Sequence, residues 1–214
     1  MQAMISFRDN SGRKKSSGKA KGRVWRRLVR SRDGAAAIEF AILAIPYFMI
    51  IFAIIETFVA FSAEQLVSNA VETLSRELRT GRMTYNLGRT TDKTKSQFRQ
   101  IFCDEISIMM SCDATEVATP KKLYLDIRTF TNFADMPTSI PRVSSAAMAD
   151  LDPASFAFTP GGAKSINMFR AYYRWPITVD ILRPFITTIR PADGSRPTDF
   201  LIVATTAFQN EDYP

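Results

Sequence analysis

A chain of 214 residues, 46% hydrophobic and with no histidine, is long enough for one soluble domain beside an anchor, but it lacks the base of Ser-His-Asp and Cys-His nucleophile systems. The same absence weakens most zinc and non-haem iron sites, and neither GxxxxGK[ST] nor GxGxxG occurs to cradle a phosphate. The formal net charge of +7 is confined to one end: residues 1–34 hold 11 bases against 2 acids, and residues 35–214 hold 17 against 19.

Residues 1–21, rich in Ser, Gly, Lys and Arg, read as a disordered basic leader. Val24 to Val29 form a short amphipathic stretch that would place Trp25 at headgroup level. Phe40 to Ile55 then carry no charge at all. The apolar span from Ala35 to Phe61 is 27 residues, about 40 Å as a helix at roughly 1.5 Å per residue, against a hydrocarbon core of about 30 Å. It is longer than a secretory h-region, and Ser62-Ala63-Glu64 makes a poor cleavage site. Permanent anchoring is the reading. Pro46 lies inside this helix and removes one of its hydrogen bonds.

Basic residues on one flank place residues 1–34 in the cytoplasm and send the C-terminal domain across the membrane. Binding of nucleic acid or anionic lipid by the basic segment is the competing reading and is not favoured. Two carboxylates bracket the uncharged run. Glu39 sits at its start, where a charge in lipid needs a partner or solvent. Glu56 either lies at the outer interface, which we favour, or faces a partner helix.

Beyond the span, Leu66, Val67, Ala70, Val71, Leu74 and Leu78 recur at three- and four-residue spacing. They predict one continuous helix from about Ala35 to Thr80, its outer half packed on the soluble domain and stopped by Gly81. Met83 to Thr94 reads as a loop. A second helix is expected from Thr94 or Ser96 to about Met109, and Lys121 to Phe130 alternates as a strand. Residues 134–162, with four prolines and Gly161-Gly162, predict a long irregular connection. Ser165 to Trp175 reads as a strand that Pro176 ends or places on an edge. Ile181 to Ile189 is helix-compatible, and Asp199 to Phe208 is a last strand. Helices first and three strands later make an α+β domain with an antiparallel sheet against the N-terminal helix.

The scattered carboxylates Asp104-Glu105 and Asp150/Asp152 read as solvated, and Gly161-Gly162 as a turn. Cys103 and Cys112 fall on the extracytoplasmic side, where disulfides persist. A single helix would hold them about 13.5 Å apart, too far for a bridge, so a bridge requires the helix to end between them. That is the favoured reading, with two buried free thiols as the alternative. Two cysteines alone make no structural zinc site.

The order of basic leader, Gly34, four residues, Glu39, Phe40 and apolar helix resembles the processing and assembly signal of type IV-like prepilins. Arg32 to Ala41 is similar to the N-terminal signature of TadE-like proteins (the TadE, TadF and TadG group), minor pilins or pseudopilins of tight-adherence (Flp) pili. Leu78-Arg79-Thr80-Gly81-Arg82, the Cys103/Cys112 pair, Phe169 to Pro176 and Ala207 to Glu211 extend the likeness over roughly residues 32–212. The resemblance implies a pilin-like architecture: a basic cytoplasmic leader (1–34), a transmembrane helix (35–61) and an extracytoplasmic domain (62–214). It implies a non-enzymatic role in pilus biogenesis, without catalytic residues, cofactor, metal or nucleic acid. A prepilin peptidase would cut between Gly34 and Ala35 at the inner membrane. Glu39, with Phe40, would then serve assembly with other pilus subunits or minor pilins, its carboxylate meeting the new ammonium of Ala35. The other class of reading is an uncleaved, membrane-anchored extracytoplasmic binding or sensor module.

Overall fold

The computed structural model describes residues 32–213, and side chains from Ala36 onward. The expected basic leader and the Val24–Val29 stretch lie outside the described residues. The chain divides into two compact units, Met1–Ile50 and Ile51–Pro214. Helix α1 (Arg32–Arg79) is 48 residues long and contains Pro46.

Within the second unit, α1 buries Ala63, Val67, Ala70, Val71, Leu74 and Leu78. This is the stripe that the apolar spacing predicts, with Leu66 only half-buried at its margin. Burying one such leucine is worth about 1.5–3 kcal/mol. The helix stops where Gly81 adopts φ +73. A Cβ at this position would stand 2.6 Å from the ring of Tyr213, so the site needs glycine for its backbone and for its lack of a side chain.

Helix α2 (Lys95–Ile106) begins at a capping box, in which Thr94 and Gln97 satisfy each other's backbone N–H groups. It ends three residues before the expected Met109, and the turn that follows carries the chain back to Cys112. The two cysteines form a disulfide with Cα atoms 5.7 Å apart. A short helix α3 (Ala114–Ala118) starts at Asp113. The loop around it is pinned by Arg99, whose buried guanidinium donates to the carbonyls of Val117, Leu123 and Glu116 at 2.6–3.0 Å. The carboxylate of Glu116 in turn accepts the N–H groups of Lys121, Lys122 and Leu123. Burial pulls the Arg99 pKa below its usual value, against the opposing pull of Glu116.

The sheet has four strands in the order β2-β1-β3-β4: β1 (Leu123–Phe130), β2 (Phe158–Thr159), β3 (Ile166–Pro176) and β4 (Asp199–Gln209). β1–β3 and β3–β4 are antiparallel, with Ile127 opposite Phe169 and Tyr173 opposite Ile202. β2 runs parallel to β1. The sheet is therefore mixed, which corrects the purely antiparallel, three-stranded expectation. The cause is the buried Asp126, which accepts the N–H of Ala157 while Ile127 N–H donates to Ala157 O. A segment read as irregular is thus drawn onto the edge. Pro176 ends β3 at its last residue, and β3 lies in the interior of the sheet, not at an edge.

One sheet face presents Leu125, Ile127, Phe169, Ala171, Ile202 and Phe208 to α1 and α2. Phe98 stands between the rings of Phe158 and Phe169, at 5.2 and 5.5 Å. The other face is covered by loops, through Leu151, Ile189 and the ring of Phe156, which stacks at 4.8 Å on Tyr172. β3 is consequently buried on both faces. The apolar run 181–189 gives only a four-residue helix α4 (Arg183–Ile186). It ends when Thr187 turns extended, so that Ile189 reaches the second core.

Candidate functional site

The exposed apolar part of α1 is the feature that the fold itself does not consume. Among the described residues, α1 is the helix long and apolar enough to cross a membrane, and its most apolar window is wholly unburied. Phe40, Ile42, Ile45, Tyr47, Ile50 and Ile55 all stand out from the protein. Side chains spread around the whole circumference cannot be one core face, and a helix apolar all round is matched to lipid. The hydroxyls at its outer end are satisfied internally, as Thr57 donates to Ala53 O at 2.8 Å and Ser62 to Phe58 O at 2.9 Å. Such local bonds let a hydroxyl sit in an apolar medium.

Gly34 and Ala35 lie in the first turn of α1, where the N–H groups have no helical partner. Glu39 follows one turn later, on the exposed helix with Phe40 beside it. Among the described residues none pairs with the Glu39 carboxylate. The structure thus puts Gly34, Ala35, Glu39 and Phe40 on one short helical segment of the first unit, while Cys103 and Cys112 belong to the second.

Glu56, at the other end of the uncharged run, has a partner that sequence reasoning missed. Its Oε1 accepts the N–H of Thr178 at 3.0 Å. The carbonyl of the same peptide group, that of Ile177, accepts Nε of Arg183 at 3.2 Å. Glu56 therefore holds a loop of its own domain. No local signal could have given this contact, because the two residues are 122 positions apart.

The remaining candidates serve the scaffold. Asp150 is not solvated as expected. It is largely buried, pairs with Arg174 Nη2 at 2.7 Å and accepts the N–H of Leu151. Asp152 caps a single helical turn at Ala154, and Asp104 accepts from Gln100. The carbonyls of Gly161 and Gly162 both accept Nδ2 of Asn210, while Gly161 N–H donates to Asn167. A Cβ on Gly161 would collide with the side chain of Ser165, so the turn is packed, not open to a ligand. Among the described residues, no group of three or more His, Cys, Asp or Glu comes together to hold a metal ion.

Residues 34–76 match the family model described as TadE-like protein. The chain carries a TadE-like segment. It covers the Gly34–Phe40 motif, the exposed apolar helix and most of the buried stripe, and it ends before Leu78. The segments Phe169 to Pro176 and Ala207 to Glu211, expected to extend the likeness, lie outside the matched residues. No curated protein and no solved structure matches the chain. The TadE-like family is pilus-associated and generally structural.

Proposed function

We propose that the protein is a membrane-anchored minor pilin or pseudopilin acting in the biogenesis of a tight-adherence pilus. Residues 1–34 form its cytoplasmic leader, 35–61 its membrane helix and 62–214 its periplasmic domain. The observation that carries the reading is the TadE-like match over a helix that opens with Gly34, Glu39 and Phe40 and stays exposed and apolar for its first half. The basic excess on the N-terminal flank supports the orientation.

A prepilin peptidase of the inner membrane cuts after Gly34. A protease needs extended backbone, and the first turn of a helix opens most readily because its N–H groups lack helical partners. Cleavage gives Ala35 a free ammonium, and Glu39 is its partner in the same subunit or in a neighbouring pilus subunit. The intact mass of the membrane-extracted protein tests this reading. Loss of residues 1–34 in the wild type, with retention in Gly34→Val, is the expected result. A wild-type protein that keeps its leader would favour the uncleaved, anchored binding or sensor module instead.

A further inference from the structure

The loop held by Glu56 has a composition that the pilin reading does not use. Ile181 and Phe185 are 54% and 84% exposed. The same loop carries Arg183, Arg190 and Arg196, which line a cavity of about 810 Å³ with Asp180 and Pro184. Arg183 is paired with Asp180 at 2.8 Å, while Arg190 and Arg196 point their charge to the surface without a described carboxylate partner. A loop that carries both a bare phenylalanine and exposed arginines is suited to a bilayer interface, where the ring meets acyl chains and the guanidinium groups meet phosphate.

Its place in the fold says which bilayer. The Ile177–Thr178 peptide is gripped on both sides, its N–H by Glu56 and its C=O by Arg183. Arg183 opens α4, and Phe185 follows two residues later. Glu56 lies one helical turn before Ala60, the first buried residue of α1. On that turn and the one preceding it, Ile54, Ile55 and Phe58 are bare. The loop thus sits beyond the end of the core, alongside the apolar surface that lipid would cover.

We propose that the loop 177–197 is a membrane-surface contact: Ile181 and Phe185 enter the interfacial layer of the bilayer that α1 spans, and Arg190 and Arg196 bind the phosphates of its anionic lipids. The inference rests on the membrane reading of α1. Its consequence is a second point of attachment, which fixes how the domain stands on the membrane surface.

The full-length chain in nanodiscs tests it. A bimane probe is placed at Phe185→Cys, at Ile181→Cys as a second reporter, and at Phe133→Cys as an exposed control remote in sequence, with doxyl lipids quenching near the headgroups. In discs containing phosphatidylglycerol, quenching at 185 and 181 should clearly exceed that at 133. It should fall to the level of residue 133 when Arg190→Glu and Arg196→Glu are combined. Equal quenching at all three positions overturns the inference while leaving the span intact. So does quenching that is the same in pure phosphatidylcholine and survives charge reversal. Loss of quenching on adding inorganic phosphate alone would reveal a free-anion site and also overturn it. Failure of the chain to remain with the disc would overturn the membrane reading itself.

Discussion

Asp126 Oδ1 accepts the backbone N–H of Ala157 at 3.0 Å, and the other oxygen of the same fully buried carboxylate accepts Nη2 of Arg128 at 2.8 Å. This contact sets the parallel edge of the sheet. Asp126→Ala leaves a buried N–H and a half-buried guanidinium without their acceptor. Charged hydrogen bonds of this kind are worth about 1.5–3 kcal/mol each, and water reaching the part-exposed Arg128 offsets some of its loss, so we expect a fall of about 2–4 kcal/mol in unfolding free energy. Amide exchange should accelerate at Ile127 before it does at Phe169. Unchanged stability would show that the edge strand is held by apolar contacts alone.

The bridge between Cys103 and Cys112 closes a loop of about ten residues, and the chain-entropy model gives it about 2–3 kcal/mol. Replacing both cysteines by alanine should lower stability by that amount. The fold should survive, because Arg99 independently pins the following segment. Thiol labelling of the untreated protein checks the premise: full labelling of both positions under native conditions would be incompatible with the structure.

The loop after α1 is centred on Asp92. Its carboxylate accepts the hydroxyl of Thr84 and the N–H groups of Leu87 and Arg89. The Thr84 bond is the largest influence, and together these bonds hold the carboxyl below its usual range. A depressed carboxylate contributes stability that is present above its unfolded pKa of about 3.9 and lost as pH falls through the lower folded value. The amide resonances of Leu87 and Arg89 should therefore stay native through the range in which free aspartate protonates and shift only at lower pH. Asp92→Asn should abolish that acid transition.

Glu39→Ala leaves Gly34 and the proposed Gly34–Ala35 cleavage site untouched. Precursor processing should continue while surface attachment falls, because the ammonium of Ala35 would enter lipid without its carboxylate. An unpartnered buried charge costs about 3–5 kcal/mol, and proximity to the interface reduces that figure. Wild-type attachment by this variant would remove Glu39 from the assembly step.

Much of this was visible in the chain because it is periodic. Val67, Val71, Leu74 and Leu78 state a helical face, and Leu123, Leu125 and Ile127 state a strand. β2 was not visible, because two residues carry no period and their pairing is set by Asp126, which lies on another strand. The run from Ile181 to Ile189 misled because composition does not distinguish a helix from a loop that dips into a core at Leu182 and Ile189. At the candidate site, the Gly34–Phe40 motif could be read locally. The role of Glu56 could not, since its partner is supplied by tertiary folding alone.

The burial of the α1 stripe carries a consequence for how the molecule is made. Ala63 to Leu78 are synthesised early, yet the β4 residues Ile202 and Phe208 that help to cover them come late, with 123 residues between Leu78 and Ile202. Contacts so distant along the chain form slowly. The stripe therefore lacks its β4 cover until the last strand is made, and its unfinished apolar surface is open to the wrong partner until then. A chain truncated before β4 should therefore keep an incomplete core and be prone to aggregation.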